Sequence, residues 1–494
     1  MRLLIVLFTL CSTPSSFAQQ HILSPQAMQA DCRILYDAWT TLHPGLYRYN
    51  TPEQMETTFK MLSLRCATPL PETRFYILLS QLAEQVKCGH TYLNPLNLDS
   101  ATASRVLPQK VIPFFFEIVE QSKMIITEVV QQGAAFQRGD EIIAVNGIPV
   151  RRIMDSLLTV SRSDGNHAIG KKYFNINETA DEADSYSLFD IYFPLFFPEA
   201  GNRTVTVKRF NAPVIHTYSI IPLGLRERAD AYRKIFGHLP TGEHSWSYRR
   251  LDSVTAYMKF GTFAFWNSIF NAKRCVDSFF AAAAKDRQIK NLIIDIRNNE
   301  GGDNTGNYIL SYITRQKIGC DDPDHRCFRF LTVPPSLLPY LSTWDKSFKA
   351  PKDPSCFFLN NLHLYEQVKD GEDCGYILPQ QKSFEGKVYL LINAKNSSAG
   401  YEMARNCKVN HLATLIGETT GGSQQGINGG QFFFLTLPHS KFEIDLPLIY
   451  NYHPSKPDSG ISPDYPLFTS QEDIAYRKDA QLQFCLNLIR QIQP

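Results

Sequence analysis

The stretch Lys387–Gly422, KVYLLINAKNSSAGYEMARNCKVNHLATLIGETTGG, predicts a strand, a turn, a helix, a second strand and a glycine turn. Lys387–Ile392 is a β-branched and leucine-rich run of strand length. Ser398–Cys407 has the length of a short helix, and Ala413–Gly417 returns as a second apolar strand. Because two strands joined through a helix imply a parallel βαβ unit, this stretch predicts an α/β fold.

Ser398 is the candidate functional residue of this unit, since it is expected in the first helical turn at the carboxyl end of a strand. Unpaired backbone N–H groups and the positive end of the helix dipole meet there, and together they can stabilise an oxyanion. A simpler interpretation is that Ser397 and Ser398 only cap the helix, because serine is a common N-cap residue.

A second strand followed by a glycine turn lies upstream. Asn291–Ile296, NLIIDI, is expected to be a buried strand, and RNNEGGDNTG follows it at 297–306. In an open parallel sheet such turns align along the carboxyl edge, where ligands bind. The region 317–383 is rich in proline and cysteine and lacks periodicity, so we expect a lid-like insertion over that edge. The alternative is that this insertion is only structural and is held by disulfides.

The composition narrows the class of protein. The chain has 494 residues, a net charge of +2 and 44% hydrophobic residues. This length predicts about two to four domains. Because no basic block stands out, the sequence does not indicate binding to nucleic acid or to an acidic membrane surface.

The first 18 residues predict a secretory signal. Arg2 is the basic end, Leu3–Leu10 is the apolar core, and cleavage is expected after Ala18. The apolar run is too short to span a bilayer. We therefore expect an exported protein, either periplasmic or secreted, without a membrane-spanning segment.

The cysteine count is compatible with disulfides in an exported chain. Removal of Cys11 with the signal leaves ten of the 11 cysteines, an even number. The absence of paired C-x-x-C spacing argues against a zinc site. The candidate pairs are Cys320/Cys327, Cys356/Cys374 and Cys32/Cys66.

Changes in pattern divide the mature chain into three main regions: a helical bundle, a β-rich domain and an α/β core of parallel βαβ units. The predicted boundaries are 19–103 for the helical domain, 104–223 for the β-rich domain with an insertion, 224–253 for a charged linker and 254–494 for the core.

Four motifs in this order carry a resemblance to a known family: GHTYL at Gly89–Leu93, GDEIIAVNG at 139–147, LIIDIRNNEGG at 292–302, and NSSAG at 396–400 followed by LIGETTGG. The chain resembles the tail-specific, or C-terminal processing, serine peptidases. It looks most similar to the branch that contains the tricorn core protease. The resemblance covers about the whole mature chain and implies a ClpP/crotonase-like core and a PDZ-like domain at 104–223.

The resemblance also implies roles for individual residues. Ser398 matches the family nucleophile, and the backbone N–H groups of Gly301, Gly302 and Ala399 match its oxyanion hole. The bacterial processing branch has a lysine base where this chain has Ser423. The tricorn-like branch uses an N-terminal histidine instead, and His90 matches that motif.

His90 is a chemically suitable base, because a neutral imidazole can accept the serine proton near pH 7. Position alone indicates little, since His90 is expected just past a helix end, where Gly89 suits a C′ residue. A lone histidine at such a place is more often structural or solvated.

The family also uses a late acidic residue to orient the serine–histidine pair. Asp458 is the nearest match, with Asp464 as a second candidate, and a capped surface loop is the alternative for both. Asp295 and Arg297 are expected to support the glycine turn. Lys408 is expected at the far end of the helix from Ser398, which argues against it as a base.

The predicted function is an exported serine endopeptidase that acts on a peptide or protein without metal or organic cofactor. The PDZ-like domain would bind the C-terminus of a chain by β-augmentation. The alternative is a catalytically inactive peptide- or ligand-binding protein on the same scaffold, because fold alone does not determine function. The loss of the lysine at 423 motivates that alternative.

Overall fold

A computed structural model describes residues 21–198, 203–266, 268–319, 325–368 and 376–492. The predicted signal region, Cys320 and Cys374 lie outside these residues. Within these ranges, every helix is too short or too polar to cross a bilayer.

The N-terminal region is helical, as its apolar spacing predicts. Its elements are β1 (Ile22–Leu23), α1 (Pro25–Leu42), α2 (Pro52–Arg65), β2 (Leu70–Pro71), α3 (Glu72–Gln85) and α4 (Ser100–Val106). Local sequence defines the helix starts: the Ser24 hydroxyl accepts from the Ala27 N–H at 3.2 Å, and Thr51 and Gln54 form a capping box. Cys32 and Cys66 are buried free thiols, so the expected disulfide between them is not confirmed.

The middle region combines a twisted antiparallel sheet with inserted helices. Its elements are β3 (Phe114–Val119), β4 (Lys123–Val129), β5 (Glu141–Val145), β6 (Ile148–Pro149), α5 (Val150–Leu157), α6 (Ile169–Ile176), α7 (Leu188–Phe196), β7 (Thr204–Lys208), β8 (Ile215–Ser219) and α8 (Leu225–Phe236). The strand order is β3-β4-β5-β7-β8, with β6 paired to β5. The PDZ-like assignment of this region stays a prediction.

The stretch expected to be a linker is ordered. Within 224–253, α8 packs on the middle region through Arg228, which is 0% exposed. Arg228 pairs with Glu178 at 3.0 Å and with Asp190 at 2.9 Å. The charged residues that suggested a solvated linker therefore include a buried ion cluster.

The remaining chain forms the core region. Its elements are β9 (Trp246–Arg250), β10 (Thr255–Phe260), α9 (Ala272–Lys285), β11 (Asn291–Asp295), α10 (Thr305–Ile313), β12 (His325–Phe328), β13 (Leu341–Ser342), β14 (Phe357–Leu359), β15 (Tyr365–Gln367), β16 (Lys387–Ile392), α11 (Ser398–Val409), β17 (Thr414–Gly417), β18 (Gly426–Thr436), β19 (Glu443–Tyr452), β20 (Tyr465–Pro466), α12 (Gln471–Ala475) and α13 (Ala480–Ile492).

The central sheet has the predicted parallel architecture. Its order is β20-β17-β16-β11-β10-β9, and all neighbours are parallel except β9 with β10. Alternate residues of the strands face two apolar clusters, one with α9, α10 and α11 and one with α13. Both faces of the sheet are thus covered, as parallel sheets require. Strands β11 and β16 are adjacent, so the turns that follow them lie at one edge.

A second sheet includes strands from the insertion that was expected at 317–383 to be lid-like. Its order is β13-β18-β19-β12-β15-β14. Strands β12 and β13 of the insertion pair with β19 and β18, respectively. The described part of the insertion is therefore held by backbone hydrogen bonds.

Candidate active site

Ser398 stands at the junction of the central strand β16 and helix α11. Its φ of +48° lies in the left-handed region, which a β-carbon disfavours and which is often found at functional sites. Pairing of β16 with β11 on one side and β17 on the other fixes the backbone before the turn. Among the described residues, the Ser398 hydroxyl has no hydrogen-bond partner, whereas its neighbour Ser397 has two.

The glycine turn after β11 touches the start of α11. A β-carbon on Gly301, whose φ is +103°, would lie 2.6 Å from the Ala399 nitrogen. A β-carbon on Gly302 would lie 2.1 Å from the Phe263 carbonyl carbon. Glycine at 301 therefore keeps open the space in front of the Ala399 N–H.

The backbone donors at this turn differ from the expected set. The Gly301 N–H donates to Asn299 Oδ1 at 2.8 Å, so it is engaged and is not a free oxyanion donor. The N–H groups of Gly302 and Ala399 have no acceptor among the described residues. Two adjacent open donors at a helix N-terminus suit a negatively charged oxygen.

Asparagine side chains lock the two turns together. Asn396 Nδ2 donates to the Ile296 carbonyl at 2.6 Å and to the Asn299 carbonyl at 3.1 Å. Asn393 Nδ2 donates to Asn298 Oδ1 at 2.7 Å. These bonds fix the glycine turn relative to Ser398.

Lys171, from α6 of the middle region, reaches into this junction. Its side chain is only 3% exposed, and its Nζ donates to Ser397 Oγ at 2.6 Å and lies 3.5 Å from a Glu300 carboxylate oxygen. Ser397 is the N-cap residue, but its side chain makes no capping bond, so the simple capping interpretation is not met there. Burial raises the pKa of Glu300, but the Lys171 ammonium and its neighbour Lys395 lower it to about 2.

His90 lies past the end of α3 and carries the ring predicted to act as the base. The left-handed residue at this helix end is Lys87, with φ +56°, and not Gly89. The His90 ring packs on Phe432 with centroids 5.6 Å apart, and a β-carbon on Gly429 would lie 3.7 Å from its Cε1.

The charges that face His90 include residues of the serine junction. Burial lowers the pKa of His90; Asp164 and Glu300 raise it, and Lys171 and Arg162 lower it. The net direction favours a neutral imidazole near pH 7. His90 therefore shares the electrostatic environment of Ser397 and Glu300, although no hydrogen bond joins it to Ser398 in the described residues.

Asp458 lies in a separate set of hydrogen bonds. Its Oδ1 accepts from Arg48 at 2.9 Å, from Tyr49 at 2.9 Å and from Ser423 at 2.7 Å. Burial raises the pKa of Asp458, but bonds from His167 and Ser423 and the charge of Arg48 hold it well below its usual range. Neither Ser398 nor His90 is among these partners, so its role as the orienting acid stays a prediction.

Asp464 has a structural role, so the structure does not support it as an orienting acid. It pairs with Lys408 and accepts from the Leu415 N–H at 2.8 Å. The same pair holds Lys408 at the end of α11 that is remote from Ser398.

Arg297 lies between two carboxylates, and its expected support of the glycine turn stays a prediction. It bonds Asp295 at 2.6 Å and Asp479 at 2.7 Å. In the part of the chain that the structure describes, no group of three or more histidine, cysteine or acidic residues could hold a metal ion.

Comparison with known proteins assigns the core region. Residues 254–467 match the sequence model described as peptidase family S41. This segment is a peptidase family S41 domain. The chain is accordingly a serine-type peptidase, and the S41 segment contains Ser398, Gly301 and Gly302. A search of curated protein sequences gave no match.

Solved structures share the fold of the S41 domain and of the regions before it. The structure of mature CPAF complexed with lactacystin is 13% identical, with a TM-score of 0.65, and the alignment covers 94% of this chain and 97% of that one. A structure of mature CPAF is also 13% identical, with a TM-score of 0.62 and coverage of 95% and 99%. The likeness shows that this chain and CPAF share an overall fold.

The sequence did not predict that Lys171 and Asp164 are buried beside the turns that carry Ser398 and His90. Both lie in the segment of the middle region that was interpreted only as an insertion. A lysine and an aspartate in a polar stretch carry no local signal of burial. Only the tertiary fold shows that they contact the Ser397 and Gly89 turns.

Proposed function

We propose that this protein is an exported serine endopeptidase in which Ser398 is the nucleophile and His90 the general base. The observation that carries the proposal is the left-handed Ser398 at the start of α11, beside the open N–H groups of Gly302 and Ala399. A nucleophile next to pre-oriented donors is the arrangement that acyl transfer requires.

In the proposed reaction, Ser398 Oγ attacks the scissile carbonyl carbon while His90 accepts the hydroxyl proton. The carbonyl oxygen becomes an oxyanion and receives hydrogen bonds from Gly302 and Ala399. His90 then returns the proton to the leaving amine as the C–N bond breaks, which leaves an acyl ester on Ser398. Water hydrolyses this ester by the same sequence of proton transfers.

The protonation state of His90 supports this role. Burial lowers the pKa of the imidazole, so the neutral form that accepts a proton predominates near pH 7. Catalytic hydrogen bonds are often long without substrate and shorten in the complex. The proposal therefore includes a movement of the His90 side chain towards Ser398 when substrate binds.

An aromatic surface next to His90 supports a substrate with a large apolar side chain. Trp344, which is 60% exposed, packs on Phe432 and Phe434 with ring centroids 5.5 and 5.2 Å apart. Phe432 in turn contacts the His90 ring. Aromatic rings of this kind favour apolar and aromatic partners.

Export rests on the signal-like residues 1–18, and a periplasmic or secreted location follows from them. Mass spectrometry of the protein isolated from its native cells tests this part. A mature N-terminus at Gln19 is expected, and an intact Met1 would contradict export by this signal.

Labelling with a fluorophosphonate probe tests the catalytic proposal. Purified mature protein should be labelled, and labelling should be lost in Ser398→Ala and strongly reduced in His90→Ala. Ser278→Ala is the matched control, because it removes an exposed hydroxyl that donates to the Cys275 carbonyl and leaves the nucleophile and its neighbours unchanged. Labelling that persists in His90→Ala would place the base elsewhere. An unlabelled but folded wild type would instead favour a binding protein.

A further inference from the structure

Two buried polar atoms near the proposed base have no hydrogen-bond partner among the described residues. They are Nδ1 of His90 and Oδ2 of Asp164. Buried polar atoms are nearly always paired, so each orphan calls for an explanation in terms of function, bound water or a second conformation. Here one orphan belongs to an imidazole that can donate and the other to a carboxylate that accepts.

The backbone brings Asp164 to the residue that precedes His90. Asp164 Oδ1 accepts from the Gly89 N–H at 2.8 Å, and the Gly165 N–H donates to the Lys87 carbonyl at 3.0 Å. A β-carbon on Gly89 would lie 2.7 Å from Asp164 Oδ2. Glycine at 89 is therefore what allows the carboxylate to approach the backbone so closely at the residue before His90.

The other charged groups near His90 are less suited to accept a hydrogen bond from its ring, because they are already paired or are cations. Glu300 is paired with Lys171, and Lys171 and Arg162 are cations. After burial, Asp164 has the largest effect on the pKa of His90, and it raises that pKa. Asp164 Oδ2 is therefore a carboxylate oxygen close enough to influence His90 that has no donor among the described residues.

We propose that Asp164 is a positioning residue that accepts a hydrogen bond from His90 Nδ1–H during the reaction. The inference rests on the proposed Ser398/His90 function and deepens it. The bond would keep the proton on Nδ1, which leaves Nε2 free to accept the Ser398 proton. The carboxylate would also stabilise the imidazolium formed in that step. Asp164 thus takes the role that the sequence suggested for Asp458.

The pH dependence of labelling distinguishes this role from a structural one. The rate of fluorophosphonate labelling is measured between pH 4 and 9 for wild type, Asp164→Asn and Asp458→Asn. Asparagine retains an oxygen for the Gly89 N–H but cannot accept through a charged Oδ2. We expect Asp164→Asn to be labelled at least about 100-fold more slowly. The pH at which its labelling rate is half maximal should also be lower than in wild type. Asp458→Asn should keep the wild-type midpoint.

The outcomes separate the two proposals. If Asp164→Asn keeps the wild-type rate and midpoint while Ser398→Ala is unlabelled, Asp164 has no positioning role and the proposed function stands. A midpoint that moves only in Asp458→Asn would also overturn the inference. Absence of labelling in folded wild type would overturn the proposed function itself.

A measurement on the wild type covers the case in which Asp164→Asn fails to fold. Nitrogen NMR of histidine-labelled protein, with the His90 signals assigned by their loss in His90→Gln, gives the tautomer directly. We expect the proton on Nδ1 at pH 8. A neutral His90 that carries its proton on Nε2 would contradict the inference.

Discussion

Lys171 Nζ donates to Ser397 Oγ over 2.6 Å, so an ammonium from the middle region holds the residue that precedes Ser398. The same ammonium lies 3.5 Å from Glu300, the residue before Gly301. One side chain therefore ties α6 to both turns of the site. A shift of the middle region would therefore also change the geometry around Ser398.

Replacement of Lys171 by methionine should destabilise the protein and impair the site together. The change leaves the Ser397 hydroxyl without its donor and Glu300 without its nearest cation, and an unpaired buried polar group costs about 1–3 kcal/mol. We expect the free energy of unfolding in urea to fall by about this amount, with slower labelling of Ser398. Lys60→Met is the control, since Lys60 is 70% exposed and its pair with Glu56 lies at the surface, where ion pairs contribute little to stability. Equal effects of the two substitutions would contradict the prediction.

Gly301→Ala should abolish most labelling, because the new β-carbon would press on the Ala399 nitrogen at 2.6 Å. Loss of one oxyanion donor typically costs about 100- to 1,000-fold in rate. The measurement is the labelling rate at saturating probe. Gly237→Ala is a matched control, because its φ of +90° is similar and nothing lies within 4 Å of its β-carbon position. If both variants lose the same fraction of activity, backbone strain and not donor geometry is responsible.

Glu418→Gln should stabilise the protein at pH 8 but not at pH 4. Burial, together with the charge of Glu117, raises the pKa of Glu418 from 4.5 to about 7. Below pH 4.5 the carboxyl is protonated in both folded and unfolded states. As the pH rises towards 7, the unfolded state loses this proton first, so folding becomes less favourable. Glutamine lacks this penalty, and its advantage should grow between these values.

Thermal unfolding at pH 4 and pH 8 measures this difference, and a rise in Tm of about 2 °C or more is expected at pH 8. Glu120→Gln is the control, because Glu120 is exposed and pairs with Lys123 at the surface. A larger stabilisation at pH 4 than at pH 8 would show that Glu418 is ionised in the folded protein.

Trp344→Ala should weaken the binding of peptides with a large apolar side chain. An aromatic pair contributes about 0.5–1.5 kcal/mol, so KM should rise about two- to tenfold for such peptides, with little change in kcat. Hydrolysis of matched peptides that differ only in one phenylalanine or serine measures the effect. Phe358→Ala is the control, because that ring is also exposed but is not among the contacts of Phe432. A similar loss for both peptides would argue against an apolar subsite.

The parts of the site that sequence predicted are those with a local signal. The apolar run Lys387–Ile392 and the polar residues after it place Ser398 at a helix start, and NLIIDI followed by Gly301 and Gly302 marks the second turn. Periodicity and glycine are sufficient there, because they determine the strand, the turn and the start of the helix.

The parts that sequence did not predict depend on long-range partners. Lys171 and Ser397 are separated by 226 residues, and Gly89 and Asp164 by 75. The charged composition of 224–253 suggested a linker, yet within it Arg228 is buried and Glu178 and Asp190 compensate its charge. The bond from the Gly301 N–H to Asn299 was not predicted, because nothing local indicates that the Asn299 side chain folds back onto it.

The residues around the proposed reaction centre come from three distant stretches of the chain: His90 from the first, Lys171 and Asp164 from the second, and Ser398 from the third. Any fragment that contains them all must span at least residues 90–398. A protease built in this way has no working site until the chain has been synthesised beyond Ser398 and has folded. Its ability to cut other polypeptides begins only after its last segment has docked.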